Sequence, residues 1–179
     1  MPTVNPPLVK DLITGLLFPQ PYSREVFLLR RDGVSFEVAS RQYGKMSGSG
    51  SIHLSNTRVV FHSVKTGKPK EFVSFELLLA EICQPNFKQP IFGANYLEGS
   101  SNITQDKWKL TFYKGGCGTF LRVLNELLSE IGRLTQTVDA AVVLQYSPAA
   151  CNVGYVDPSD PSIVYVQQPM AASAPPPAE

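Results

Sequence analysis

The chain has little cysteine, and its three cysteines, Cys83, Cys117 and Cys151, are odd in number and widely separated. That pattern excludes a disulfide framework and the paired spacing of a zinc site, and it fits a reducing compartment. Histidine is scarcer still, with only His53 and His62. Both fall in strand-like segments, so they are expected on adjacent strands and not in a metal site. Long apolar runs are absent. The run LITGLLF (Leu12–Phe18) is far below the roughly 20 residues a membrane helix needs, and Asp11 beside it argues against a secretory leader. The sequence therefore predicts a soluble intracellular protein. No charge sign dominates, since the formal net charge is +1. Such a balance, with no recognition-helix pattern, excludes direct sequence-specific nucleic-acid binding. G-x-S-x-G, G-x-x-x-x-G-K and H-E-x-x-H are all missing, so no catalytic residue, metal or cofactor is expected. Cys117 near a helix start is the one thiol with a route to a lowered pKa.

Proline is missing from the middle. Of 15 prolines, 5 lie in residues 1–21 and 7 after residue 135, leaving Pro69, Pro85 and Pro90 between. Proline removes a backbone donor and fixes φ, so a regular body is expected where it is rare. This predicts an N-terminal arm (1–21), a folded domain (22–136) and a Pro-rich, largely disordered tail (137–179). The domain carries 15 Lys+Arg against 10 Asp+Glu, a mildly basic body with acidic ends.

What the body does contain is strand after strand, then one helix. EVFLLRR and VSFEVAS flank Asp32-Gly33, a two-residue hairpin signal. GSGSIHL (Gly48–Leu54) and RVVFHSV (Arg58–Val64) flank Ser55-Asn56-Thr57, a second hairpin. GKMSGSGS (Gly44–Ser51) reads as a flexible loop, KTGKPK (Lys65–Lys70) as a turn. EFVSFELLL (Glu71–Leu79), AEICQ (Ala80–Gln84), IFGANYLEG (Ile91–Gly99) and DKWKLTFYK (Asp106–Lys114) follow as extended segments. In the last of these Trp108, Leu110 and Phe112 alternate with Lys107, Lys109 and Thr111, the period of a half-buried strand. After Gly115-Gly116 the period becomes helical. Phe120, Leu124, Leu127, Leu128, Ile131 and Leu134 form one stripe on a helix of about 17 residues, with Thr119 as N-cap.

About seven strands and a C-terminal amphipathic helix predict an α+β, pleckstrin-homology-like fold: a curled antiparallel barrel whose open end the helix closes. A sheet with a helix on one face uses the same elements.

The stretch QPIFGANYLEG (Gln89–Gly99), with GSIHLSNTRVVF before it and WKLTFYKGG after it, resembles the GRAM domain of the WW-domain-binding protein 2 family over residues 22–135. Its most specific part is the run Lys88–Tyr96. The resemblance implies a pleckstrin-homology-like fold, no enzymatic activity, and an adaptor or transcription coactivator in cytoplasm and nucleus that recruits protein partners through its tail. The family's Pro-Pro-x-Tyr motifs are missing here, so the WW-domain partnership does not carry over. In the motif itself, Gln89, Pro90, Phe92, Gly93, Ala94, Asn95 and Tyr96 read as architecture. Pro90 opens a strand and Gly93 marks a bulge that re-aims Phe92 and Tyr96.

Two further features bear on function. Arg30, Arg31, Arg41, Lys45, Lys65, Lys68 and Lys70 are the candidate cluster for a phosphoinositide headgroup or acidic membrane, because phosphates reward charge-assisted hydrogen bonds. Lys107 and Lys109 read as solvating. In the tail, Val142–Tyr146 and Ser162–Val166 are β-prone islands able to join a partner's sheet edge or to fold back.

Overall fold

The computed structural model describes residues 4–12, 15–64, 68, 72–137, 155–157 and 160–165. Its centre is a seven-stranded antiparallel sheet built from β3 (Phe27–Ser40), β4 (Gly44–Ser55), β5 (Arg58–Ser63), β6 (Ser74–Leu78), β7 (Ile82–Lys88), β8 (Tyr96–Ser101) and β9 (Lys107–Phe112). The order is β6-β5-β4-β3-β9-β8-β7. Edge strands β6 and β7 are not paired with each other, so the predicted closed barrel is corrected to an open one. A single 3₁₀ turn, Leu79–Glu81, carries the chain from one edge to the other. Helix α1 (Cys117–Thr137) lies against that turn and β8.

The core follows from alternation along the strands. Phe36, Phe61, Phe72 and Phe75 stack at its centre, Phe36 on Phe61 with centroids 4.9 Å apart. The helix adds Cys117, Phe120, Val123, Leu124 and Leu127, with Phe120 5.4 Å from Phe112. It runs 21 residues and begins at Cys117, so Thr119 sits inside the first turn and is not the N-cap. Burial pushes the Cys117 thiol up to about 12, which closes the route to a lowered pKa that its place near the helix start offered.

Three other local expectations change. Asp32-Gly33 is no turn: β3 runs straight through it for 14 residues, with a bulge between Asp32 and Val34 and Gly33 at φ +70°. An extra residue flips the inward parity of a strand, and Leu29 before the bulge joins Val34, Phe36 and Val38 after it in the same core. GKMSGSGS is no loop, because Gly44–Ser51 is the first part of β4. Gln89–Asn95 is no strand, because β7 ends at Lys88 and β8 opens at Tyr96.

The N-terminal stretch read as an arm is folded onto the sheet. Strands β1 (Leu8–Lys10) and β2 (Leu17–Pro19) form a hairpin, and Phe18 at its end is buried against Phe27 and His53. Asn5 covers the edge of β6, donating from its backbone to Ser74 O and accepting from Val73 and Ser74. Edge pairing of this kind hides unpaired backbone groups from foreign strands. At the opposite edge Pro85 interrupts β7 where its register shifts between Cys83 and Asn86, a second guard of the same type.

In the tail, β10 (Tyr155–Asp157) and β11 (Asp160–Tyr165) pair as a hairpin that takes in most of the second island. The first island, Val142–Tyr146, and the disorder expected of the remaining tail lie outside the described residues.

Candidate functional site

Strand register decides which charged side chains meet. On the outward face of the sheet, Ser47, Glu37, Lys109, Glu98 and Asn86 stand in one row across five strands. The next row holds Lys45, Ala39, Lys107, Ser100 and Cys83. Lys45 and Lys107 flank Ala39 two strand spacings apart, about 10 Å. Lys68 joins them through its backbone, which exchanges two 2.8 Å hydrogen bonds with Ser47. Together these residues border an open groove of ≈860 Å³.

The groove carries four lysines against two glutamates. Lys45, Lys68 and Lys107 are exposed and Lys109 half-buried. Lys109 Nζ lies 4.5 Å from the centroid of the Tyr96 ring, a cation–π contact. Serine hydroxyls and the Asn86 amide supply neutral partners between the charges. This is chemistry for a phosphorylated or carboxylated anion wider than one contact, held by ammonium groups and hydrogen bonds.

The expected basic cluster is therefore divided. Lys45 and Lys68 lie at the groove, while Lys65 and Lys70 lie outside the described residues. Arg41 is exposed beyond the end of β3, its backbone N–H bonded to Asp106. Arg30 and Arg31 are buried, at 9% and 4% exposure, and take no part in the groove. Arg30 bonds Asp32 at 2.9 Å beneath the Phe18 ring, and Arg31 donates to Arg30 O. Partial burial pushes the Asp32 carboxyl up, but the Ser51 hydroxyl at 2.6 Å and the Arg30 guanidinium outweigh it and hold it below its ordinary value. Sequence reasoning missed Lys107 and Lys109. Their outward phase was legible, but the neighbours across the sheet that turn two outward lysines into a groove wall were not.

The histidines share a face with this polar group. Ser51 pairs with His62 and His53 with Val60, which makes the two imidazoles diagonal neighbours. Burial, then Arg30, pushes His53 down to about 3, and the same two causes lower His62. No group of three or more His, Cys, Asp or Glu among the described residues is arranged to hold a metal ion.

The motif stretch has an unexpected place. Gln89–Asn95 forms the β7–β8 loop, where Gly93 adopts φ +115°. Ile91 and Phe92 at its tip are 93% and 91% exposed, so Phe92 is not packed architecture. Only Tyr96, the first residue of β8, is part of the sheet.

Among solved structures, the chain is similar to a Vps36 N-terminal PH domain at a TM-score of 0.51 and 17% identity, covering 70% of this chain and 93% of that one. A chain of the 8S snRNP assembly intermediate aligns at a TM-score of 0.44 and 8% identity, covering 68% and 91%. No family model and no curated protein matches the sequence. The fold is pleckstrin-homology-like.

Proposed function

We propose that this pleckstrin-homology-like chain is a non-enzymatic binding module that docks on anionic membranes, with phosphoinositide headgroups among its ligands. The observation that carries the reading is the groove itself, where Lys45, Lys68, Lys107 and Lys109 meet from segments distant in sequence. Each lysine near an anionic surface contributes about 1 kcal/mol. Replacing Lys45 and Lys107 by glutamine removes two exposed charges and leaves the core untouched. Vesicle co-sedimentation of the double variant then gives a partition coefficient lower by roughly thirtyfold, and added salt weakens wild-type binding most. Binding indifferent to both changes sinks the reading.

The resemblance of Lys88–Tyr96 to the GRAM domain of the WW-domain-binding protein 2 family favours a second reading, an adaptor or coactivator that recruits proteins through the chain after α1. Truncation after Gln136 separates the two. Loss of partner capture with vesicle binding intact supports the adaptor arm. Capture of every partner by the truncated chain discards it.

A further inference from the structure

The β7–β8 loop sets two large apolar side chains in solvent at adjacent positions. Ile91 and Phe92 are the most exposed of the large hydrophobic residues described. The loop around them is anchored. Its last residue, Asn95, accepts a 2.9 Å hydrogen bond from Phe112 N–H at the end of β9, which brings the exposed Tyr113 and Lys114 to the same end of the sheet. Lys88 and Lys109 stand on the adjoining outward face. Glu98 beside them is 3.8 Å from Lys88 and partly neutralised by it.

We propose that Ile91 and Phe92 form a wedge that enters the apolar margin of an anionic bilayer while Lys88, Lys109 and Lys114 hold its headgroups. The inference rests on the membrane-docking reading above and adds an apolar component to it. Three features single out a bilayer. The two tip side chains are almost wholly exposed, suited to a fluid interface that needs no matching pocket. Its cations complement lipid phosphates and carboxylates. It is also continuous with the lysine groove, so one approach engages both. Tyr113 fits the same plane, its ring apolar and its hydroxyl wet. Cationic attraction alone is reversible and salt-sensitive, and apolar insertion adds a component that salt does not screen.

The test uses the full chain and phosphatidylcholine vesicles with or without phosphatidylserine. Ile91→Ser with Phe92→Ser is expected to lower partitioning by roughly tenfold or more, the scale set by withdrawing two large side chains from the interface. The unfolding midpoint should not move, since neither side chain packs. Phe92→Trp is expected to give blue-shifted emission on binding, quenched by lipids brominated near the headgroup, above the constant signal of buried Trp108. If the serine variant binds as wild type does and the introduced indole stays solvated, the wedge is wrong even where lysine-dependent binding persists. If binding survives loss of the lysines as well, the docking reading fails with it. If the wild-type chain ignores anionic vesicles altogether, both fall and the tip is a protein contact.

Discussion

Arg58→Met is expected to destabilise the fold by about 3–5 kcal/mol, the cost of stripping one partner from a buried ion pair. The Arg58 side chain has no solvent exposure. It is forked onto Glu25, with Nε and Nη2 each 2.8 Å from one carboxylate oxygen. Its Nη1 reaches Glu76, Nη2 also donates to Gln20 O at 2.6 Å, and the guanidinium stacks 3.7 Å from the Tyr22 ring centroid. Gln20 belongs to the N-terminal stretch and Glu25 to the segment that leads from it into β3, so Arg58 fastens both to β5 and β6. Without it two buried carboxylates face each other with no cation. Urea unfolding of the variant beside wild type at neutral pH measures the loss. Adding Glu25→Gln and Glu76→Gln to the Arg58 variant is expected to recover part of the loss. A deficit below about 1 kcal/mol at neutral pH would mean that solvent reaches the cluster and that the N-terminal stretch is not fastened by it.

What the sequence made legible was local. The alternation of Trp108, Leu110 and Phe112 gave β9, the Ser55–Thr57 turn gave the β4–β5 hairpin, and the apolar stripe gave α1. What it hid was decided by partners far along the chain. An Asp-Gly pair suits a two-residue hairpin and equally a bulge with glycine at positive φ. The long β4, pairing on both sides of Gly33, selects the bulge. The glycines and serines of GKMSGSGS look flexible one by one. In place they allow close approach: a Cβ on Gly50 would lie 2.0 Å from His62 O, so only glycine lets β4 and β5 meet there.

The site failed to be legible for the same reason. Arg30 and Arg31 carry the right charge at a sequence position that looks like a turn tip, and the absence of a turn removes them from the surface. The β1–β2 hairpin then covers Arg30 with Phe18, a contact that no pattern within either segment announces. Phe92 erred in the opposite direction. Aromatic residues in an extended run are usually packed, yet the run breaks at Gly93 and leaves Phe92 outside.

Acid should loosen the contact that hides Arg30. His53 is fully buried under Phe18 and Phe27. Burial first, and then repulsion from Arg30 and His62, lower its pKa from 6.5 to about 3, with Asp32 opposing. The folded value lies below the unfolded one, so the unfolded chain binds the extra proton. Stability is therefore complete above about pH 6.5 and is lost progressively as pH falls towards 3. At pH 5 the loss from this one group is about 2 kcal/mol, and His62 adds to it with the same sign. The groups facing His53 are Arg30, always charged, Asp32, whose lowered pKa keeps it ionised at pH 5, and His62. The pH response down to 5 thus belongs to the two imidazoles. Denaturant unfolding at pH 7.5 and pH 5 is expected to show a smaller drop for His53→Leu than for wild type, by about the same 2 kcal/mol. Equal drops would mean that His53 can be protonated in place. Because the proton has to enter beneath Phe18, the same acidification should raise protease cleavage in the β1–β2 hairpin before α1 is lost. Simultaneous cleavage throughout the chain would instead make the hairpin part of one cooperative unit with the sheet.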